Sequence, residues 1–215
     1  MTELVFILDR SGSMAGLEAD TIGGFNSMIA RQKQEAGEAL VSTVLFDNES
    51  AVIHDRLPLG EVPPLTEKEY FTCGCTALLD AIGYGVEKMV NIQRHLPEDE
   101  RAEKVIFVIT TDGLENASKR FSYEKIRRMI EREKEQYGWE FLFLGANMDA
   151  VKEAARFGIS SDRAVRFEND AQGVAVNYHV VSETVSRMRE APCCASIGAE
   201  WKEEIEADFQ KRHHG

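Results

Sequence analysis

No apolar run in this 215-residue sequence approaches the roughly 20 residues that a bilayer span requires. Basic residues are scarce: 25 Lys and Arg stand against 37 Asp and Glu, a formal charge of −12. Nucleic acid and anionic membranes are therefore not expected partners, because both demand a surface of Lys and Arg to replace counterions. Met1-Thr2-Glu3 leads straight into apolar residues, without the basic segment and small-residue cleavage site of a secretory leader, so a cytoplasmic location is expected. Only four cysteines occur, as Cys73-Gly74-Cys75 and Cys193-Cys194. Neither pair has the two-residue spacing of a zinc ribbon or redox site, and reduced thiols are expected. A zinc site would need both pairs to converge, joined by His54, His213 or His214. Also missing are a Walker phosphate loop, a Gly-x-Gly-x-x-Gly turn and a Gly-x-Ser-x-Gly elbow, the usual marks of nucleotide binding and serine hydrolysis.

What is present suffices for one sizeable core. Hydrophobic residues make up 43% of the chain, and a domain of this length buries roughly 70% of its unfolded surface. Continuous runs rich in β-branched and aromatic residues at 4–8, 105–109 and 141–144 predict strands covered on both faces, hence a parallel sheet. Residues 40–46 and 51–57, separated by a short polar turn at Asp47-Asn48, predict a hairpin whose second strand is an antiparallel edge. A sixth, weaker strand falls at 164–167. Helical spacing joins Ile22, Phe25 and Ile29, then Leu79, Ile82, Val86 and Met89, then Tyr123, Ile126 and Ile130 behind a Ser122 cap, and finally Val174, Tyr178, Val181, Val185 and Met188. Alternating strands and helices predict a three-layer α/β domain over 1–190. After Glu190, Ala191-Pro192 breaks the helix, and Trp201, Ile205 and Phe209 mark a short helix in a C-terminal extension, 191–215. Its apolar stripe is expected to pack back on the domain, the alternative being a docking helix for a partner.

Chemistry gathers where strands end. The first strand closes in Asp9-Arg10-Ser11-Gly12-Ser13 and the central one in Thr111-Asp112-Gly113. In an open α/β sheet, ligands bind at the carboxyl ends of strands where the strand order reverses. Two carboxylates, Asp9 and Asp112, with three hydroxyls, Ser11, Ser13 and Thr76, form a hard oxygen set suited to Mg²⁺, Mn²⁺ or Ca²⁺. The alternative for Asp9, Ser11 and Ser13 is a capped turn.

The ordered set Asp9-x-Ser11-x-Ser13, Gly74-Cys75-Thr76 and Thr111-Asp112-Gly113 resembles the von Willebrand factor A domain family and its metal-ion-dependent adhesion site, over residues 4–188. The resemblance implies a Rossmann-like α/β/α fold with a mostly parallel six-stranded sheet, order 3-2-1-4-5-6 with strand 3 antiparallel. It further implies that Ser11 and Ser13 ligate the metal directly, that Thr76 does so directly or through water, and that Asp9 and Asp112 bind directly or through water. The implied activity is a Mg²⁺-dependent protein-interaction module, not an enzyme, in which a protein partner supplies a Glu or Asp carboxylate to the metal. The loops near 15–17, 71–75 and 114–117 would form the rim.

The alternative is a Mg²⁺-dependent phosphoryl-transfer or hydrolytic enzyme using Asp9. An aspartyl phosphatase wants an acid two positions after Asp9, where Ser11 stands. Cys73-Gly74-Cys75-Thr76 replaces the Gly-Gly-Thr turn of many family members, and Cys75 is expected to be buried. Asp80, Glu115, Asn116, Glu18 and Asp20 are read as solvated loop or helix groups, the alternative being acceptors for metal-bound water around the site. Glu131, Glu133 and Glu135 are placed with Arg127, Arg128 and Arg132 on a solvated helix face. Gly83 and Gly85, inside a helix, imply close packing of its backbone against the sheet.

Overall fold

The computed structural model describes residues 1–192 and 197–213. Strands β1 (Thr2–Asp9), β2 (Ala39–Phe46), β3 (Ser50–Pro58), β4 (Lys104–Thr111), β5 (Glu140–Ala146) and β6 (Ala164–Phe167) form one sheet in the order β3-β2-β1-β4-β5-β6. All pairs are parallel except β2–β3, the predicted hairpin. Because successive side chains point to opposite faces, each central strand feeds two cores. Leu4, Phe6 and Leu8 face helices α1 (Glu18–Gln32) and α5 (Ala171–Glu190), while Val5 and Ile7 face α2 (Leu78–His95). Helices α3 (Tyr123–Tyr137) and α4 (Ala150–Arg156) complete the second layer through Ile126, Ile130, Ala150 and Ala154.

Local signals hold where the sequence pointed to them. Ser122 caps α3 by accepting the Lys125 N–H at 3.3 Å, and Gly138 ends it in the left-handed region, φ 63°. Helix α4 was not anticipated, since its seven residues span only two turns and leave too few positions for a period. Helix α6 (Glu203–His213) packs on the domain as expected: Trp201 and Ile205 join the core of α1 and α5, and the Trp201 Nε1–H donates to the Asp162 carbonyl at 2.7 Å. Phe209 lies under the Arg166 guanidinium, 4.4 Å away. Among the described residues no helix is long and apolar enough to cross a membrane. Cys193, Cys194 and His214 of the zinc alternative lie outside the described residues. His54 is buried against Thr43 and Phe25, and His213 meets Glu168.

The edge strand carries a bulge. Pairing of β2 with β3 slips between Val41 and Val44, and Arg56 there has φ 49°. The distortion turns Arg56 onto Glu3, whose Oε1 meets Nε at 2.8 Å and Nη2 at 2.7 Å. Glu3 is fully buried in β1, so this guanidinium compensates a charge that the core would otherwise isolate. Burial still leaves the Glu3 carboxyl above its ordinary range.

Two expectations need correction. Gly85 does face the sheet, with Ile7 3.2 Å from where its Cβ would lie, but Gly83 faces the Phe121 ring at 2.5 Å. Its close neighbour comes from the loop after β4, not from a strand. Glu133 is not on a solvated face: it is 3% exposed and lies on the buried stripe of α3 with Ile126 and Ile130.

Helices α1 and α5 approach most closely at Gly24, where a Cβ would stand 2.3 Å from the Tyr178 ring. Gly24→Ala should therefore lower the unfolding free energy by about 1–3 kcal/mol, as overpacked cores do, measured by urea denaturation. Burial holds the His54 ring below its usual range, weakly opposed by Glu69. Below pH 6.5 the unfolded chain takes up a proton that folded His54 refuses, so stability should rise with pH up to about 6.5 and then flatten. His54→Phe should reduce that slope in urea titrations run at several pH values.

Candidate metal site

Register brings the two acids together. Leu8 pairs with Thr110 across β1 and β4, so Asp9 ends one strand beside Thr111, and Asp112 follows at once. Thr111 Oγ1 donates to Asp9 Oδ2 at 2.6 Å, and the Ser11 N–H donates to Asp9 Oδ1 at 2.7 Å. That second bond turns the chain sharply and opens the short helical turn Gly12–Met14, whose Met14 is buried. The turn carries Ser13 back over the sheet. Its hydroxyl donates to Asp112 Oδ1 at 2.5 Å and lies 3.0 Å from Ser11 Oγ. Thr76 comes from a third stretch, just before α2. The point where a Gly113 Cβ would lie is 2.9 Å from Thr76 Oγ1 and 3.4 Å from Ser13 Oγ. A side chain there would occupy the space between these hydroxyls, which is why glycine follows Asp112.

All five predicted residues thus lie at one rim of the sheet. Ser11, Ser13 and Asp112 are joined by direct hydrogen bonds, Thr76 faces them across Gly113, and Asp9 is tied in through Thr111 and the Ser11 amide. Asp9, Ser11, Thr76 and Asp112 are buried, whereas Ser13 is exposed, so the cluster opens to solvent on that side. Burial pushes the Asp9 carboxyl up to about 6, with bonds from Thr111 and Ser11 offsetting part of the rise and the Asp112 charge adding to it. Burial also raises Asp112, opposed by Ser13 and Asn169. Among the described residues neither acid has a cationic partner, in contrast to Glu3.

Hydrogen bonds between side chains and backbone hold the three stretches in place. Arg10 O accepts from Cys73 N at 2.9 Å, and Gly12 N donates to Gly74 O at 3.1 Å, pairing the first and second loops. Arg10 Nε meets Asp47 Oδ2 at 2.9 Å and its guanidinium covers the Phe71 ring at 5.0 Å. Gly74 adopts φ +70°, and the next amide, Cys75 N–H, donates to Asn48 Oδ1 at 2.7 Å. Cys73 and Cys75 are both free and exposed, contrary to the burial expected for Cys75. The replaced turn keeps its course because Asn48 and Gly74 shape it.

Four of the neighbouring polar residues, Glu115, Asn116, Asp80 and Glu18, are clamps rather than solvated groups. Glu115 accepts from Leu79 N, Ala117 N, Ser118 N and Ser118 Oγ. Asn116 Oδ1 accepts from Thr76 N at 2.9 Å while its own N–H returns to Thr76 O. Asp80 accepts three amides at 119–121, and Glu18 holds Gly16 N and Thr72 Oγ1. Sequence reasoning missed two contributors, Thr111 and Asn169, the latter donating to Asp112 Oδ2 at 3.2 Å. Thr111 lay inside the quoted motif. Asn169 follows β6 and carries no sequence signal, since only the fold brings that loop to the site.

No family model and no curated protein matches the sequence, but solved structures do. A von Willebrand factor type A protein from Catenulispora acidiphila superposes with TM-score 0.55 over 84% of this chain and 41% of its own, at 14% identity. The chain has the von Willebrand factor A fold. Proximal thread matrix protein 1 from the mussel byssus, solved with a zinc occupied metal-ion-dependent adhesion site, gives 0.56 at 16% identity over 86% of this chain and 46% of its own. The conserved hypothetical protein BatB from Bacteroides thetaiotaomicron gives 0.53 at 14% identity over 89% and 100%. This von Willebrand factor A fold thus spans less than half the length of the first two relatives and all of the third.

Removing the clamp under Thr76 tests the scaffold. Glu115→Ala strands four donors and should cost about 1–3 kcal/mol. Amide exchange should quicken at Leu79 and Ser118 while the central strands stay protected.

Proposed function

We propose that this chain is a metal-dependent protein-interaction module in which Asp9, Ser11, Ser13, Thr76 and Asp112 hold Mg²⁺, with Mn²⁺ or Ca²⁺ as substitutes. A protein partner supplies a Glu or Asp carboxylate to the position the chain leaves open. One observation carries the reading: two buried carboxylates, with no cationic partner among the described residues, share one rim with three hydroxyls, and the rim is open at Ser13. Buried charge of that kind is costly unless an ion compensates it.

The donor set fits the ion. Adjacent oxygens of an octahedral Mg²⁺ site, with bonds of about 2.0–2.1 Å, lie about 2.9 Å apart. Ser11 Oγ and Ser13 Oγ are 3.0 Å apart, and Ser13 Oγ and Asp112 Oδ1 are 2.5 Å apart. Bound there, the ion would supply an electrophilic centre for an anionic group. The chain's own residues fix where it sits: Thr111 and the Ser11 amide orient Asp9, Asn169 orients Asp112, and Asn116 orients the backbone at Thr76. Two carboxylates at most neutralise the dication, so an open coordination position on it would still take a carboxylate oxygen, while the chain's net charge of −12 disfavours nucleic acid and anionic membranes.

A binding role without catalysis is supported by the serine hydroxyls, which are engaged with each other and with Asp112 and not with a histidine or lysine base. The free, exposed thiols of Cys73 and Cys75 support a reducing, cytoplasmic setting. On this reading residues 1–190 form the interaction domain, and 191–215 are a C-terminal extension whose helix α6 packs on β6.

Thermal unfolding with Mg²⁺ or EDTA provides the first test. A Mg²⁺ concentration 100 times Kd should stabilise the wild type by about 2.7 kcal/mol, and Ser13→Ala should lose most of that gain. Capture of a partner from lysate should then fail in EDTA and with Asp9→Ala. Equal recovery in every condition would overturn the metal bridge, and turnover of a generic phosphate ester would favour hydrolysis instead.

A further inference from the structure

A cavity of about 320 Å³ opens at the other end of the strands from the metal site, between the last turns of α2 and α3 and the start of β4. Val90, Val105, Tyr137 and Trp139 give it apolar walls. Trp139 is buried and stacks on Phe107 at 5.8 Å, which makes it a rigid base. Tyr137 is 56% exposed, one of the few large side chains of the described residues left in solvent.

Glu133 lines this cavity from a core position of α3, where period alone would place an apolar residue. Its side chain is 4% exposed, and its one ion contact is Arg132 Nε at 3.7 Å, beyond hydrogen-bonding distance. No hydrogen-bond donor among the described residues reaches the carboxylate. A carboxylate buried without donors is expensive, and such a group calls for a missing partner. Arg94 also lines the cavity, and it makes no hydrogen bond or ion pair among the described residues. The two opposite charges therefore share one pocket without touching each other.

We infer that this cavity binds a free amino acid with an apolar side chain, its ammonium on Glu133, its carboxylate on Arg94 and its side chain against Trp139, Val90 and Val105. A simple amine would bring a second cation toward Arg94, and a simple acid would meet Glu133 unprotected. A zwitterion satisfies both charges and adds none. The other polar lining residues are already engaged, Gln93 with Glu3 and the Ala102 amide, Arg101 with the Leu96 carbonyl and Glu103 with the Met1 ammonium; the rest of the wall is hydrocarbon and aromatic, as in small-molecule pockets that hold a few convergent polar groups. The inference is independent of the metal site.

The sequence has two tryptophans, so indole N–H resonances give a direct readout. Titrating the full chain with L-leucine or L-phenylalanine should shift the Trp139 signal in a saturable way and leave Trp201, in the other core, unmoved. Phenylalaninamide lacks the carboxylate and N-acetylphenylalanine lacks the cation. Both should bind roughly tenfold more weakly, as should L-phenylalanine to Glu133→Gln or Arg94→Gln, the loss of one charge-assisted contact each. Arg94 is exposed, so its variant keeps the test open if the Glu133 variant folds poorly. An unmoved Trp139 signal at millimolar amino acid, or equal binding of the blocked compounds, would overturn the inference.

Discussion

The constraint on which the site rests is the burial of Asp9 and Asp112 at the ends of adjacent parallel strands, with no cationic partner among the described residues. A domain can tolerate one such group if donors surround it. Here each carboxylate accepts two hydrogen bonds, from Ser11 and Thr111 for Asp9 and from Ser13 and Asn169 for Asp112. Those bonds leave lone pairs free on both carboxylates. The resulting local negative charge is the physical reason for proposing an ion at this rim.

Holding the opening in shape is the work of the loops, and they do it with side-chain-to-backbone bonds more than with packing. Asn48, Asp80, Glu115 and Asn116 each accept at least one backbone amide of the second or third loop. Such bonds let a loop keep an irregular course without a core of its own. They also explain why a Cys-Gly-Cys turn serves at this place: its path depends on Gly74, on the Asn48 side-chain amide and on the Cys73 thiol, which donates to Asp47 Oδ2 at 3.2 Å.

Buried acids receive three different treatments in this molecule. Glu3 is matched by Arg56 through a bulge in the edge strand. Asp9 and Asp112 are held by neutral donors and, among the described residues, meet no cation. Glu133 lines a pocket with only a distant arginine contact. The first is a structural solution, and the other two mark places where the chain stops short of satisfying itself. With a net charge of −12, unmatched acids are easily taken for solvated surface, as Glu133 was.

By itself the sequence determined the sheet, because buried parallel strands need continuous apolar runs and their helices need a 3.6-residue period, both visible along the chain. It also determined which oxygens could meet, since Asp9, Ser11, Ser13 and Asp112 sit at strand ends and strand ends share a rim. It could not announce α4, whose seven residues carry no period, or Asn169, whose approach to Asp112 spans 57 positions. The exposure of Cys75, the clamp roles of Asp80 and Glu115, and the burial of Glu133 were likewise decided in three dimensions. A polar side chain has no preferred depth of its own. Its partners come from other stretches of chain, and only folding selects them.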